Sequence, residues 1–180
     1  QYRDRIQAIR RVRERQHVSG EGGDLDVVAC RTQAAQSCVT VFFVRNGHNL
    51  GNKTFFPRTP DDAAEEDVLY AFLTQFYLEH DVPAEILLSH AVDGADVLAE
   101  VLRERAGHRV TLSARLRGER RRWMDLARSN AADALGTRLA SRAGMAARLD
   151  SLASVLGLDA PPGRMECFDI SHTRGEATVA

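Results

Sequence analysis

Between Asp26 and Phe56 three strand-length apolar runs follow one another directly, Asp26–Arg31, Ser37–Val44 and His48–Phe56, and Asn46-Gly47 joins the last two. Asn and Gly both tolerate a positive φ, which a two-residue hairpin turn requires if its twist is to match the flanking strands. Strands linked so tightly pair as an antiparallel meander. Such a sheet must bury at least one face, so the segments that follow decide the architecture.

Pro57 and Pro60 close the meander, and Asp61 and Asp62 are placed to cap a helix whose apolar face is Val68, Leu69, Phe72, Phe76 and Tyr77. The acids of its first turn sit where the helix dipole favours them. Pro83 ends that crossover. A nearly all-apolar strand then runs from Glu85 to Ser89, a helix carrying Val97, Leu98, Val101 and Leu102 from Asp93 to Arg105, and a strand from Arg109 to Ala114. From Glu119, the residues Trp123, Leu126, Ala127, Ala131, Ala134, Leu135, Leu139, Leu149, Leu152 and Leu156 keep a helical period as far as Gly157, with Gly136 and Gly144 as weak points. The order β-β-β-α-β-α-β-α predicts an α/β domain with a mixed sheet over residues 26–158. It is the order of the ribonuclease H-like fold, although other α/β folds share parts of it.

At 44% hydrophobic residues over 180 positions the chain can build a real core. No run reaches the ~18–20 apolar residues of a membrane span, and the charged start Gln1-Tyr2-Arg3-Asp4-Arg5 is unlike a signal sequence. A soluble, cytoplasmic protein without a membrane partner is expected. Cys30, Cys38 and Cys167 are far apart in apolar runs, which reads as buried thiols rather than a metal knuckle or a disulfide framework.

The net charge of −1 hides an asymmetry. Residues 2–18 carry six arginines against Asp4 and Glu14, +4, and Tyr2, Ile6 and Ile9 fall on a helical repeat there. Residues 60–104 carry twelve acids against Arg103 alone, −11, and residues 115–128 return to +4. Basic ends around an acidic middle suggest one face toward nucleic acid and one away from it; solvated helix faces explain many such patterns equally well. Ser19 to Asp24 reads as a flexible linker.

The last stretch, Arg164 to Ala180, places Asp169 between Phe168 and Ile170 in an apolar strand, turns at Gly175 and starts a second strand. A buried carboxylate needs a partner. The partner is either a divalent metal or, on the structural reading, an arginine or the backbone of a turn that the aspartate caps; magnesium favours carboxylate oxygens, and two such ions support phosphodiester hydrolysis. Placing Asp169 on Ala29 aligns Glu166 with Asp26 and Val179 with Val39, a weak internal repeat in which the central domain has alanine at the carboxylate position. Its fourth strand, Ile86-Leu87-Leu88-Ser89-His90, has no aspartate either. The central domain is therefore expected to be a degenerate copy that no longer binds metal.

These residues resemble the UvrC family, the incision component of the bacterial excinuclease ABC. The resemblance is carried by Arg15-Gln16-His17-Val18-Ser19-Gly20, Asp24-Leu25-Asp26-Val27, Val41-Phe42-Phe43-Val44-Arg45, Gln75-Phe76-Tyr77-Leu78, Glu85-Ile86-Leu87-Leu88, Arg117-Gly118 with Asn130-Ala131, and above all Arg164 to Ala180. It implies nucleotide excision repair, in which the family member joins a UvrB–DNA complex and cuts damaged double-stranded DNA on both sides of the lesion. In such proteins an N-terminal GIY-YIG domain makes the 3′ cut and a C-terminal ribonuclease H-like domain makes the metal-dependent 5′ cut. Neither is expected to be complete here.

By position, Asp169 matches the first catalytic and metal-binding aspartate of the 5′ nuclease, with Mg2+ or Mn2+ as the implied cofactor. The resemblance divides the chain into residues 1–18, the end of the UvrB-binding helical segment with Tyr2, Ile6 and Ile9 as contacts; a linker, 19–25; the non-catalytic ribonuclease H-like domain, 26–158; a second linker, 159–163; and the start of the endonuclease domain, 164–180. His172 reads as a structural or phosphate-side residue, and His17, His48, His80, His90 and His108 as surface or turn residues. Arg117, Arg120, Arg121 and Arg122, at the start of the last helix, are candidates for DNA phosphates, against the alternative of an ordinary solvated helix start. As a whole, the fragment reads either as a piece of a nuclease or as a scaffold holding nuclease domains in register.

Overall fold

The structure, a computed structural model, describes residues 23–166 and the backbone of two short strands at 171–172 and 178–179. Tyr2, Ile6, Ile9, His17, Cys167 and Asp169 lie outside the described residues. Two compact units divide the chain, Gln1–Thr137 and Arg138–Ala180.

In the first unit the meander forms as β1 (Leu25–Gln33), β2 (Gln36–Arg45) and β3 (His48–Phe55). Asn46 and Gly47 both take positive φ, 53° and 72°, so the β2–β3 turn is the two-residue type their identities select. The β1–β2 turn has the same backbone form, yet Ala34 and Ala35 occupy it at φ 49° and 56°. After the meander come α1 (Glu65–Glu79), β4 (Glu85–Leu88), α2 (Ala95–Ala106), β5 (Thr111–Ser113) and α3 (Gly118–Leu156).

The sheet order is β3-β2-β1-β4-β5. β1 pairs antiparallel with β2 (Val28 opposite Val41) and parallel with β4 (Val28 beside Leu88), and β4 pairs parallel with β5 (Ile86 beside Leu112). The predicted mixed α/β sheet is thus realised, with β1 at the centre. Alternate side chains of β1 and β4 enter separate cores. Val28, Cys30, Ile86 and Leu88 meet Leu69, Leu73, Phe76 and Tyr77 of α1 and Leu98 and Leu102 of α2. Val27, Ala29 and Leu87 meet Met124 and Ala127 of α3, with Trp123 packed edge-on to Phe42 at 6.4 Å.

Three local expectations are corrected. Asp61 and Asp62 do not cap α1: its N-cap is Ala64, without a side-chain bond. The Ala63 N–H turns back to the Pro60 carbonyl (3.2 Å) and takes both aspartates out of reach, while Glu65, Glu66 and Asp67 supply the first-turn charge. On α2 only Leu98 and Leu102 are buried; Val97 and Val101 are 66% and 56% exposed, because one helix row suffices to cover so short a parallel edge. Gly136 and Gly144 leave α3 unbroken. A glycine costs a helix about 1 kcal/mol, less than ending it would forfeit in propagated hydrogen bonds.

In the second unit α3 closes as expected at Gly157. Its φ of +65° lets the Leu158 N–H reach the Ala153 carbonyl (2.9 Å) and its own N–H reach Ser154 (3.4 Å), the paired bonds of a Schellman ending. β6 (Ser171–His172) and β7 (Thr178–Val179) pair antiparallel, His172 opposite Thr178.

Candidate functional site

In open α/β sheets, binding sites form where parallel strands end at their carboxyl edge and the strand order reverses. Here that place is the end of β1 beside the end of β4. Ser89, the residue after β4, is 3% exposed and turns its Oγ toward β1, where it accepts the Cys30 N–H at 3.0 Å. The same oxygen lies 3.0 Å from His90 Nδ1, and His90 Nε2 lies 3.1 Å from Glu65 Oε2 in the first turn of α1. The other oxygen of Glu65 accepts the Thr32 N–H at 2.8 Å and stands 3.7 Å from Arg31 Nη1. From the opposite face, Arg128 of α3 donates to the Ser89 carbonyl.

A carboxylate, an imidazole and a hydroxyl in line carry the atoms of a nucleophilic relay, but the hydroxyl is in the wrong place for one. Ser89 Oγ is buried and holds a main-chain N–H, so it presents no nucleophile to a substrate. The chain of bonds instead ties β1, β4, α1 and α3 together and satisfies strand-end groups that burial would otherwise orphan. Cys30, beneath it, is equally inert: burial, reinforced by the charge of Glu65, pushes its thiol up to about 12, so it stays protonated.

Metal chemistry does not fit this edge. Ala29 is fully buried under Met124 and Ala127, and β4 ends at Leu88 with Ser89 following it. Among the described residues no group of three or more His, Cys, Asp and Glu side chains is disposed to hold a metal ion. The carboxylate that β1 does carry, Asp26, is at the other end of the strand, hydrogen-bonded to Arg45 (2.7 Å) and to Tyr77 (2.8 Å).

The predicted arginines gather elsewhere. Arg117, Arg120, Arg121 and Arg122 stand exposed together at the start of α3. Arg120 reaches Glu85 at the first residue of β4 with Nη2 at 2.8 Å and Nε at 3.2 Å. Glu85 and Ser89 are separated by about 13 Å of strand, so this cluster belongs to the amino edge of the sheet and not to the edge that holds His90. The sequence gives Arg31, Glu65 and Arg128 no site role and reads His90 as a surface or turn residue, whereas the fold sets His90 between Ser89 and Glu65. The available signal was a Ser-His pair ending an apolar parallel strand.

Residues 24–138 match the family described as the UvrC ribonuclease H-like domain, and residues 153–180 match the UvrC RNase H endonuclease domain. The chain belongs to the UvrC family. Its sheet of order 3-2-1-4-5 is the ribonuclease H-like domain of that family. Among curated proteins, a UvrABC system protein C from Alkalilimnicola ehrlichii is 52% identical over all 180 residues, which make up 30% of that relative. Those of Methylococcus capsulatus and Pseudomonas fluorescens are 51% and 46% identical over 99% of the chain, again 29% and 30% of the relatives' length. The chain therefore spans about a third of these UvrC proteins. No helix among the described residues is long and apolar enough to cross a membrane.

Proposed function

We propose that the chain is part of the excinuclease component that cuts damaged DNA during nucleotide excision repair, and that its central domain serves as a non-catalytic scaffold. The match of residues 24–138 to the UvrC ribonuclease H-like domain and of residues 153–180 to the UvrC RNase H endonuclease domain carries this reading. Support for the scaffold comes from Ala29 and Ser89, which supply no carboxylate at the edge where such a domain would hold its metal, and from the polar chain that occupies it. On this reading the domain boundaries are those read from the sequence. Chemistry is left to a following domain, in which Asp169 provides the first ligand for Mg2+ or Mn2+. Tyr2, Ile6 and Ile9 face UvrB, and Arg117, Arg120, Arg121 and Arg122 face DNA phosphates.

Incision by the intact protein tests this directly. With UvrB, damaged duplex and Mg2+, Asp169→Asn should abolish the 5′ cut and leave the 3′ cut in place; an undiminished 5′ cut would remove Asp169 from the site. The scaffold assignment has its own check. Metal-dependent cutting of bubble DNA by these 180 residues alone, lost in Asp169→Asn, would overturn it.

A further inference from the structure

The layer formed by α1 and α2 carries apolar surface that the domain does not use for its own core. Tyr70 and Leu78 of α1 are 37% and 61% exposed, and Val97 and Val101 of α2 are 66% and 56% exposed. The two helices lie side by side and run in the same direction. At one end a Cβ on Gly94 would lie 3.9 Å from the Tyr70 ring; at the other Arg105 Nη2 donates to the Leu78 carbonyl. Steps of three and four residues place Tyr70, Thr74 and Leu78 on one line of α1, and Gly94, Val97, Val101 and Arg105 on one line of α2. The result is a shallow apolar groove about 12 Å long.

Its surroundings are strongly acidic. Residues 60–106, which hold both helices, carry twelve acids against Arg103 and Arg105. Asp67 and Glu79 on α1, Asp93 just before α2, and Glu100 and Glu104 on α2 are all exposed. An apolar groove bordered by carboxylates selects a basic amphipathic helix. Residues 2–18 have that composition: Tyr2, Ile6 and Ile9 at helical spacing, and six arginines against two acids.

The tether also fits. The chain enters β1 at Asp24, whose carbonyl accepts the Glu85 N–H at 3.4 Å, and the neighbouring Ala84 carbonyl accepts the Thr111 N–H at 3.0 Å. These contacts define the sheet edge toward which α1 and α2 deliver the chain to β4 and β5, so Leu78 and Arg105 are close by. Six residues from Val18 to Asp24 reach about 20 Å when extended. A tether this short gives an effective concentration on the order of millimolar, enough for a modest groove to be occupied.

We propose that the α1–α2 groove is the docking site of the chain's own basic segment, residues 2–18. The segment is the one assigned above to UvrB, so on that assignment docking and partner binding exclude each other, and the groove holds the segment back until UvrB displaces it.

A photoreactive benzophenone amino acid in place of Val101, in the full chain, reads the contact. Intramolecular cross-links should map to residues 2–18. They should fall roughly fivefold or more between about 0.1 M and 1 M salt, where the screening length drops to about 3 Å, and likewise in Val97→Asp, whose exposed position leaves folding intact. Cross-links only to other segments, cross-links between two copies, or none would overturn the proposal. Adding UvrB separates the two readings. Loss of the cross-links supports both, whereas cross-links that persist at saturating UvrB leave docking in place and remove only the assignment of Tyr2, Ile6 and Ile9 to UvrB.

Discussion

Asp26 is buried on β1 with two side-chain partners, Arg45 and Tyr77, that share its carboxylate oxygens between them. Desolvation outweighs the stabilising pull of Arg45 and Tyr77, so its carboxyl titrates above the ordinary value of 3.8. An acid whose folded pKa is raised binds its proton more tightly in the folded state. Stability contributed by that proton is present near pH 4 and is lost as pH rises through the folded pKa. Asp26→Asn removes this dependence. At pH 7 we expect the variant to be about 1–2 kcal/mol less stable, since Arg45 keeps the carbonyls of Leu25 and Val44 as acceptors. Urea unfolding should show the wild type's advantage widening as pH falls from 7 toward 4; an advantage that shrinks would mean that the ion pair outweighs burial. No periodicity in the sequence announces this contact, whose partners are 19 and 51 residues away. The β1–β2 turn was hidden for the opposite reason. Ala34 and Ala35 give no turn signal, yet both adopt the left-handed region, at about 1 kcal/mol or more each. Replacing the pair by Asn-Gly should stabilise the domain by about 1 kcal/mol, measured as a higher urea midpoint with an unchanged slope.

Strands and long helices were legible because their signals are local: apolar runs of strand length on β1 and β2, the Asn46-Gly47 turn, and Gly157 as the stop of α3. Helix faces were less so. A period of 3.6 marks Val97 and Val101 together with Leu98 and Leu102, and only packing against a narrow sheet edge decides that the second pair goes in. The polar chain through Ser89, His90 and Glu65 was illegible for a related reason: its members are far apart in sequence, and topology alone brings them to one edge. Glycine in a helix shows the limit of propensity. Gly136 is exposed within α3, and a Cβ built there meets nothing within 4 Å. Gly136→Ala should therefore stabilise the chain by about 0.5–1 kcal/mol, read as a rise in Tm; a loss of stability would show that the position needs glycine for a contact outside this chain.

Across the whole molecule the charge blocks read from sequence become places on a fold. The acidic block coats α1 and α2, and the second basic block starts α3 at the amino edge of the sheet. This placement separates the four arginines proposed to meet DNA. Arg120 already holds Glu85, so a phosphate would have to displace a carboxylate, whereas Arg121 and Arg122 are exposed one and two residues further along the same helix start. Each phosphate neutralised contributes about 0.9 to the slope of log K against log salt for duplex DNA. In the intact protein, Arg121→Gln with Arg122→Gln should lower DNA affinity and flatten that slope by roughly 2, while Arg120→Gln alone should change it by far less than 1. Titrations of labelled duplex over a range of salt concentrations give both numbers. Equal slopes for wild type and the double variant would assign these arginines to solvent and leave DNA contact to other parts of the protein.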